Sequence, residues 1–497
     1  MDRPLQSLIR RQLIIAGATL CASPGSRVWI RIAGQSQSIP ALLPRKLDGH
    51  QFVVYADSCS GVPGSARGKN LAAVNSMLRR IEPQPDFICF PGDHINGGIK
   101  DYGALRAEWD YWLNTEMAWV KGRGIPMFHT TSNHNTYDVE SERVWREVFP
   151  DIPKNGPPGQ EGLSYFVRHK DLLLVCVNTA FSGLGGEGHV ESHWLTKVLA
   201  QNADCKYKFV AGHHPVFPVN GYANYPLWRI DPHQGELFWK ALVEHQVQAY
   251  LCSHIIAFDV QVHHGVLQLT TGGAGTIHGP GGFMPGLTEY LHAVQIAVDA
   301  QGLRYQVLDV DGTRRAWLEW PIRLPADSSA DRQANEGVES LKAKNSATSE
   351  SRLVVWRLSG VMPEDTTGEG QSFVCGWDEQ PAVWIGIEGC PARLTVRLLP
   401  QFEGEEQVWT GVHLPAGKAF DFEVALHGGM GPGGILYRSN PASSWSSLMS
   451  PSARGAEKII WVQEWAVGHG QSGPMDRPFR GKELKVTSKV HGLRPPK

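Results

Sequence analysis

The sequence predicts an α/β domain followed by an all-β domain, and three features of the 497-residue chain support this expectation. In the first part, short apolar runs alternate with segments whose apolar residues recur at helical spacing, which is typical of an α/β sandwich with its helices outside. The last part contains short alternating runs separated by Gly and Pro, which predict a β-sandwich with strands at 383–387, 394–398, 408–412, 420–426 and 459–462. A polar stretch rich in Ser, Ala, Asn and Lys lies between them.

These features divide the chain into four segments. Residues 1–48 contain a candidate export signal and a lead-in, and residues 49–325 form the α/β domain. Residues 326–352 are predicted to be a linker, and residues 353–497 form the β-sandwich domain. The sequence indicates no partner for this second domain. Its tryptophans Trp377, Trp445 and Trp465 are expected in its core, with sugar stacking as the alternative.

The N-terminus resembles a secretory signal. Arg10 and Arg11 precede an apolar stretch at residues 13–22, which is too short to span a bilayer. The paired arginines resemble a twin-arginine signal, which would place the protein in the periplasm or outside the cell. The alternative is a surface helix or an overlong start, and the protein would then be cytoplasmic. No other stretch is apolar enough to be transmembrane.

Composition favours a small partner. Hydrophobic residues make up 42% of the chain and charged residues 19%, as in an ordinary globular protein. A formal net charge of -2 provides no electrostatic attraction to nucleic acid or to an acidic membrane. The eight cysteines are scattered, which favours buried thiols over a disulfide framework. Only Cys375 and Cys390 are close enough in sequence to suggest a bridge.

The elements of the α/β domain follow from periodicity. A helix at residues 71–81 connects two apolar runs into a βαβ unit, which makes these two runs parallel neighbours. The glycine-rich residues 183–188 are expected to be a plain loop, because they lack the Lys and Ser/Thr of a phosphate loop. Further helices are predicted at 105–120, 194–199 and 236–247, and strands at 163–169, 172–178, 265–271 (closing the sheet) and within 299–320.

Five apolar runs of this domain end in a side chain that can bind a metal. Ligands collect beyond the carboxyl ends of strands in open α/β sheets, so these side chains are expected to lie at one edge. Together they predict a metal site rather than scattered polar loops. The five runs lead into Asp57, Asp93, the loop Ser132–Asn135, His213 and His254.

The residue types indicate the chemistry of this site. Asp93 can bridge two cations, Asn133 offers an amide oxygen, and His213 and His254 offer imidazole nitrogens, a set that suits Zn, Fe or Mn rather than Ca. Such a metal polarises a phosphoryl oxygen and lowers the pKa of bound water, which provides a hydroxide for in-line attack. His134 is placed to stabilise the transition state or to protonate the departing alkoxide.

The order of these blocks resembles the calcineurin-like metallophosphoesterase superfamily, and the segments 210–216 and 249–254 are most similar to purple (tartrate-resistant) acid phosphatases. The resemblance implies a four-layer α-β-β-α sandwich and hydrolysis of small phosphomonoesters or phosphodiesters at a two-metal centre. The blocks are Asp57, Gly92–Asp93, Asn133–His134, Gly212–Pro215 and His254.

The chain also departs from this family pattern. Cys59 stands where most of the superfamily has a His, Ile256 replaces the last His, and Asn96 replaces the tyrosine of the purple phosphatases. One metal position therefore keeps its whole ligand set, whereas the other keeps two aspartates and loses its nitrogen ligand, so one or two ions are expected. Cys59 is either a thiolate ligand or a small buried thiol. We expect a hydrolase of reduced activity; the alternative is a non-catalytic binding protein on the same scaffold.

Overall fold

The computed structural model describes most of both domains. The predicted export signal at residues 10–22 and a predicted strand at residues 459–462 lie outside the described part. Within that part, no helix is both long and apolar enough to cross a membrane. The described residues are 37–44, 49–218, 226–276, 290–324, 332–334, 352–366, 369–378, 380–398, 407–430, 434–448, 464–468 and 477–492.

The first sheet of the N-terminal domain contains β2 (Gly49–Val54), β4 (Phe87–Phe90), β5 (Met127–His129), β12 (His292–Asp299), β13 (Gly302–Asp309) and β14 (Arg314–Trp320). Its strand order is β14-β13-β12-β2-β4-β5. β2, β4 and β5 run parallel, and β12 adds to β2 in the antiparallel direction. The last strands of the domain were predicted within 299–320, and this prediction is confirmed. These strands extend the first sheet rather than the second. β1 (Ile39–Pro40) and β3 (Ile81–Glu82) form a separate parallel pair.

The second sheet contains β6 (Tyr165–His169), β7 (Leu172–Cys176), β8 (Tyr207–Ala211), β9 (Ala249–Cys252), β10 (Phe258–His263) and β11 (Val266–Thr271). Its order is β10-β11-β9-β8-β7-β6, with β7, β8, β9 and β11 parallel. The expectation that residues 265–271 close the sheet is wrong, because β10 folds back beyond β11 as the edge strand.

Alternating side chains on the strands separate four layers. Phe52 of β2 and Leu174 of β7 belong to one apolar cluster, which lies between the two sheets. Their neighbours Val53 and Leu173 instead belong to two outer clusters, which they share with different sets of helices. Because successive side chains of a strand point to opposite faces, this alternation requires a helix layer outside each sheet. The α-β-β-α sandwich is therefore confirmed.

The helices are α1 (Ala66–Leu78), α2 (Tyr102–Tyr111), α3 (Ala118–Gly122), α4 (Val139–Val148), α5 (Ser192–Gln201) and α6 (Pro232–Glu244). The single helix predicted at 105–120 is wrong, since a π-helical turn at Trp112–Glu116 separates α2 from α3. At the end of this turn the Glu116 carboxylate accepts hydrogen bonds from Ser60 Oγ (2.8 Å) and the Gly61 N–H (2.9 Å). The wide turn thus coincides with a connection to the loop after β2.

Helix α4 was not predicted from the sequence, and α6 begins earlier than predicted. Asp138 caps α4 by accepting from the Ser141 N–H (2.8 Å), while Ser141 Oγ accepts from the Asp138 N–H (2.9 Å). This capping box was readable in the sequence. α6 begins at Pro232 instead of at residue 236, because Asp231 caps it and Pro is favoured in the first turn.

The C-terminal domain is a β-sandwich, as predicted, with two antiparallel sheets around one apolar cluster. The strands expected at 383–387, 394–398, 408–412 and 420–426 are confirmed, whereas the other described strands of this domain were not anticipated. The predicted linker contains one short strand, Arg332–Ala334, which pairs with the last strand, Lys482–Gly492. The sheets consist of β15 (Arg332–Ala334), β16 (Arg352–Val361), β21 (Ala419–His427), β22 (Ile435–Arg438), β23 (Ser446–Ser447) and β25 (Lys482–Gly492), and of β17 (Gln371–Asp378), β18 (Gln380–Glu388), β19 (Arg393–Leu398), β20 (Gln407–His413) and β24 (Glu464–Val467).

The two domains share an apolar cluster and several backbone contacts. The Trp317 N–H donates to the Gly429 carbonyl (2.6 Å), and the Val262 N–H donates to Ser447 Oγ (2.8 Å). The glycine-rich turn at residues 428–434 therefore reaches the N-terminal domain through its described residues. Trp445 is buried in the shared cluster, as expected of a core residue, and the side chains of Trp377 and Trp465 lie outside the description.

The described cysteines form no disulfide bond. Cys375 is buried and Cys390 is exposed, and no bridge joins them. Six of the seven described cysteines are buried, as the sequence predicted, and Cys390 is the exception.

Candidate metal centre

The residues predicted for the site come together at one edge of the N-terminal domain. Parallel strands of each sheet end there, so their carboxyl ends deliver side chains into one space. Four of these side chains are buried, while Asn133 and His134 are partly exposed. Asp57, Asp93 and Asn133 follow β2, β4 and β5, and His213 and His254 follow β8 and β9.

Four residues of the site have a backbone conformation that side chains other than glycine rarely adopt. The φ angle is 61° at Asp57, 40° at Cys59, 52° at Asp93 and 68° at His254. Each such residue costs about 1–3 kcal/mol and persists only where the surroundings impose it. Their concentration at one edge of the sheets indicates a functional site.

The hydrogen bonds of two histidines fix which nitrogen is free. His213 Nδ1 lies 3.0 Å from the Pro91 carbonyl oxygen and 2.9 Å from Ser253 Oγ. His254 Nε2 lies 3.2 Å from the Leu227 carbonyl oxygen. Because a carbonyl oxygen only accepts, these nitrogens carry the protons, and the opposite nitrogens keep their lone pairs. Burial lowers the pKa of His213, and it lowers the pKa of His254 to about 3, so both rings are neutral near pH 7.

The free nitrogens converge with two oxygens. His213 Nε2 lies 3.0 Å from His254 Nδ1, 2.9 Å from Asn133 Oδ1 and 3.3 Å from Asp93 Oδ1. All four atoms offer electron pairs, and none of the four has a proton to share with the others. The ligand atoms of Asp93, His213 and His254 lie within 4.8 Å of one another. This donor set fits a metal ion with mixed nitrogen and oxygen ligands.

Asp57 brings a second buried carboxylate next to Asp93. Its Oδ2 accepts from the His254 N–H (3.2 Å), while its Oδ1 is buried and has no partner among the described residues. Burial, and then the charge of Asp93, raise the pKa of Asp57 well above its usual range. The raised pKa favours the protonated form of Asp57 while no cation is present, and a cation beside Asp93 would favour ionisation of both carboxylates.

The other oxygen of Asp93 faces a different group of side chains. Asp93 Oδ2 lies 3.6 Å from Cys59 Sγ and 3.9 Å from His134 Nε2. His134 Nδ1 donates to the Asn96 carbonyl, so its Nε2 is the nitrogen turned toward the carboxylate. The ligand atoms of Cys59, Asp93 and His134 also lie within 4.8 Å of one another.

Two of the three family positions that this chain has altered, Ile256 and Asn96, present no free ligand atom to the site. Ile256 is buried, and its side chain has no atom that can coordinate a cation. Asn96 occupies the position of the expected tyrosine, and its Oδ1 accepts from Arg67 Nη1 (2.9 Å). The cationic Arg67 is thereby held close to the site.

The residues that orient the ligands were not predicted from the sequence. Ser132 Oγ accepts from the Asp93 N–H (2.9 Å) and donates to Asn135 Oδ1 (2.8 Å), which also bonds to His94 Nδ1 (2.8 Å). His94 is packed among aromatic rings and faces His129 through its other nitrogen (3.0 Å). These residues adjoin the ligands in the sequence, but the bonds between their loops form only in the folded chain. Such bonds set ligand orientation.

Comparison with known proteins identifies a family for most of the N-terminal domain. Residues 50–258 match the model of the calcineurin-like phosphoesterase family. The N-terminal domain is therefore a calcineurin-like phosphoesterase domain, as the ordered blocks of the sequence predicted. A comparison with curated protein sequences gives no match.

Three solved structures illustrate what the chain is similar to. GAP50, described as the anchor in the inner membrane complex of Plasmodium, is 12% identical with a TM-score of 0.40, over 56% of this chain and 90% of that one. The purple acid phosphatase PPD1 from yellow lupin is 13% identical with a TM-score of 0.41, over 53% and 52%. A 5'-nucleotidase from Staphylococcus aureus is 13% identical with a TM-score of 0.34, over 52% and 54%. The chain thus spans about half the length of the last two proteins.

Proposed function

We propose that this protein is a metal-dependent phosphoric ester hydrolase, a phosphomonoesterase or phosphodiesterase, that acts on a small phosphorylated substrate. The observation that carries the proposal is the convergence of four electron-pair donors on one point. Asp93, Asn133, His213 and His254 would hold a transition-metal ion there. Neutral imidazoles and oxygens together favour Zn, Fe or Mn over Ca.

The metal supplies Lewis-acid activation of a phosphoryl oxygen and of the attacking water. The chain's own residues supply the remaining functions. The Pro91 carbonyl and Ser253 orient His213, and the Leu227 carbonyl orients His254. Asp57 lies beside these ligands, where its carboxylate would help to neutralise a bound cation.

His134 is the candidate general acid. Its Nδ1–H is held by the Asn96 carbonyl, and its side chain is 35% exposed, so Nε2 is open to a bound substrate. From this position it would protonate the alkoxide that leaves phosphorus, or stabilise the charge that develops there. Export through the twin-arginine route remains a prediction from residues 10–22.

The test is the metal content of the purified chain by elemental analysis, with hydrolysis of p-nitrophenyl phosphate and bis-p-nitrophenyl phosphate measured on the same sample. Asp93→Ala is expected to abolish both bound metal and hydrolysis. Asp110→Asn is the matched control, because Asp110 is an exposed carboxylate on α2 whose partner is Arg106. A folded protein without metal or turnover after Zn, Fe and Mn are supplied would overturn the proposal. It would leave the alternative, a binding protein on a phosphoesterase scaffold.

A further inference from the structure

Asp93 presents its two oxygens to two separate groups of side chains. Oδ1 faces His213 Nε2 at 3.3 Å, on the side that holds the complete ligand set. Oδ2 faces Cys59 Sγ at 3.6 Å and His134 Nε2 at 3.9 Å. A carboxylate with one oxygen on each side has the arrangement that bridges two cations in two-metal sites.

The surroundings of Cys59 differ from those of most buried cysteines in the described chain. Cys89 and Cys176 lie in the apolar cluster between the sheets, and Cys205 and Cys252 lie in the cluster under α5 and α6. Cys59 belongs to none of these clusters and is in contact with the Asp93 carboxylate. A thiol kept only for apolar packing would have apolar neighbours.

The backbone holds Cys59 over this carboxylate. The Cys59 N–H donates to the Asp93 carbonyl (2.8 Å), and Ser58 Oγ donates to the His94 carbonyl (2.6 Å). Cys59 itself has a φ of 40°, which is a strained conformation for a residue with a side chain. Two hydrogen bonds and a strained residue thus fix the thiol at the bridging aspartate.

A second, independent observation points to a ligand at this position. Asp57 is fully buried, and its Oδ1 has no hydrogen-bond partner among the described residues. An unpaired buried carboxylate oxygen is costly unless a cation or a proton satisfies it. Asp57 and Cys59 are two residues apart in the loop that follows β2.

We propose that Cys59 binds, as a thiolate, a second cation that Asp93 bridges to the first and that Asp57 helps to neutralise. This inference rests on the proposed function, because it requires the first ion at Asp93, Asn133, His213 and His254. Binding releases the thiol proton to water and forms a metal–sulfur bond, so no redox partner is needed. His134 is partly exposed and would act on the leaving group. Cys59 and Asp93 are buried and would contact the second ion.

The thiolate determines which metals the second position accepts. Soft sulfur ligands select Zn, Fe and Co over Mn, Mg and Ca. The second ion of this protein is therefore expected to be thiophilic, even though the nitrogen ligand that Ile256 replaces is gone.

The experiment is reconstitution of the full chain with Co²⁺, followed by elemental analysis and near-ultraviolet absorption. A cobalt–thiolate bond gives a charge-transfer band that cobalt bound only to nitrogen and oxygen lacks. We expect this band in the wild-type chain and its loss in Cys59→Ser, with the bound metal falling from about two ions to about one per chain. His134→Ala should keep both the band and the stoichiometry.

Cys252→Ser is the matched control, because Cys252 Sγ already lies 3.4 Å from Thr270 Oγ1 and a hydroxyl suits that site. This variant should keep the band. The single ion that Cys59→Ser retains, together with an unchanged circular dichroism spectrum, establishes that the variant is folded. A band absent from the wild type, or present in Cys59→Ser, overturns the inference.

Hydrolysis measured on the same samples separates the two proposals. One ion per chain with hydrolysis but without the band overturns the thiolate inference and leaves the proposed function intact. The band without hydrolysis by any reconstituted sample supports the thiolate and overturns the hydrolase.

Discussion

His213 Nε2 lies 3.0 Å from His254 Nδ1, and each nitrogen turns a lone pair toward the other. Their second nitrogens donate to the carbonyl groups of Pro91 and Leu227, so neither ring can supply a proton between them without losing a hydrogen bond. Two facing lone pairs repel each other, and a cation placed between them converts this repulsion into attraction. A cation at this point would therefore stabilise the pair.

Metal binding is therefore predicted to stabilise the folded chain. A ligand at a hundred times its dissociation constant contributes about 2.7 kcal/mol, because it binds only the folded state. Removing the metal with a chelator should lower the midpoint of thermal unfolding by roughly 5 °C, and added Zn²⁺ should restore it. In His213→Ala, chelator and Zn²⁺ should leave the midpoint unchanged. A shift in that variant as large as in the wild type would contradict the assignment.

Gly92→Ala is predicted to disrupt the metal site. Gly92 has a φ of +101°, and a Cβ there would overlap the His213 ring and approach Ser132 Cβ to 2.8 Å. Displacing His213 should weaken metal affinity by roughly 10- to 100-fold, as changes in ligand orientation do. Metal titration of the purified variant measures this loss.

Gly98→Ala is its matched control. Gly98 also has a positive φ (+65°), but no atom lies within 4 Å of its Cβ position. This variant should lose only about 1–2 kcal/mol of folding free energy through backbone strain and bind metal normally. Equal losses of metal affinity in the two variants would show that strain, rather than contact with His213, is the cause.

His134→Ala is predicted to slow hydrolysis without removing metal. General acid catalysis contributes roughly 100- to 10,000-fold, and the effect grows as the leaving group becomes more basic. The loss in kcat should therefore be larger with phenyl phosphate than with p-nitrophenyl phosphate. His233→Ala, at an exposed position in the first turn of α6, should behave as the wild type. The same loss with both substrates would argue against proton donation.

Acid is predicted to lower the free energy of unfolding through His427 of the C-terminal domain. Burial lowers the pKa of His427 to about 4, and its Nδ1 accepts from the Gly429 N–H (3.1 Å), so the folded state holds this ring neutral. The unfolded state takes up a proton below about pH 6.5, so stability is lost as the pH falls from about 6.5 toward 4. The loss at pH 5 from this residue is roughly 2 kcal/mol. The free energy of unfolding, measured by denaturation at pH 7 and pH 5, should differ less between the two pH values in His427→Gln than in the wild type. An equal difference in the two proteins would contradict the prediction.

Two neighbouring residues of β22 are predicted to affect different domains. Ile435 lies in the core of the β-sandwich, whereas Leu436 points into the cluster shared with the phosphoesterase domain. Each substitution by Ala should cost about 2–5 kcal/mol. Leu436→Ala should lower the temperature at which bound metal is released. Ile435→Ala should lower only the temperature at which the β-sandwich unfolds. Equal effects on metal release would contradict an apolar interface between the domains.

Several elements of the fold could be predicted because their signals are local. The apolar runs that end at Asp57, Asp93 and His213 are short, and the structure places a strand before each. The interruption of the helix at 105–120 could not be anticipated, because it coincides with hydrogen bonds from Glu116 to the loop after β2. The position of β10 at the edge of the second sheet could not be anticipated either, since hydrophobic alternation does not specify which strands are neighbours.

The sequence by itself determined the residue types of this protein's site and their order along the chain, because each ligand directly follows an apolar run whose period is visible in a few residues. Only the tertiary structure decided which atoms face one another. The proton positions on His213 and His254 depend on carbonyl groups of Pro91 and Leu227, and the oxygens of Asp93 are divided between groups from different strands. These relationships join residues far apart in the chain, and they exist only after two sheets pack across a common core.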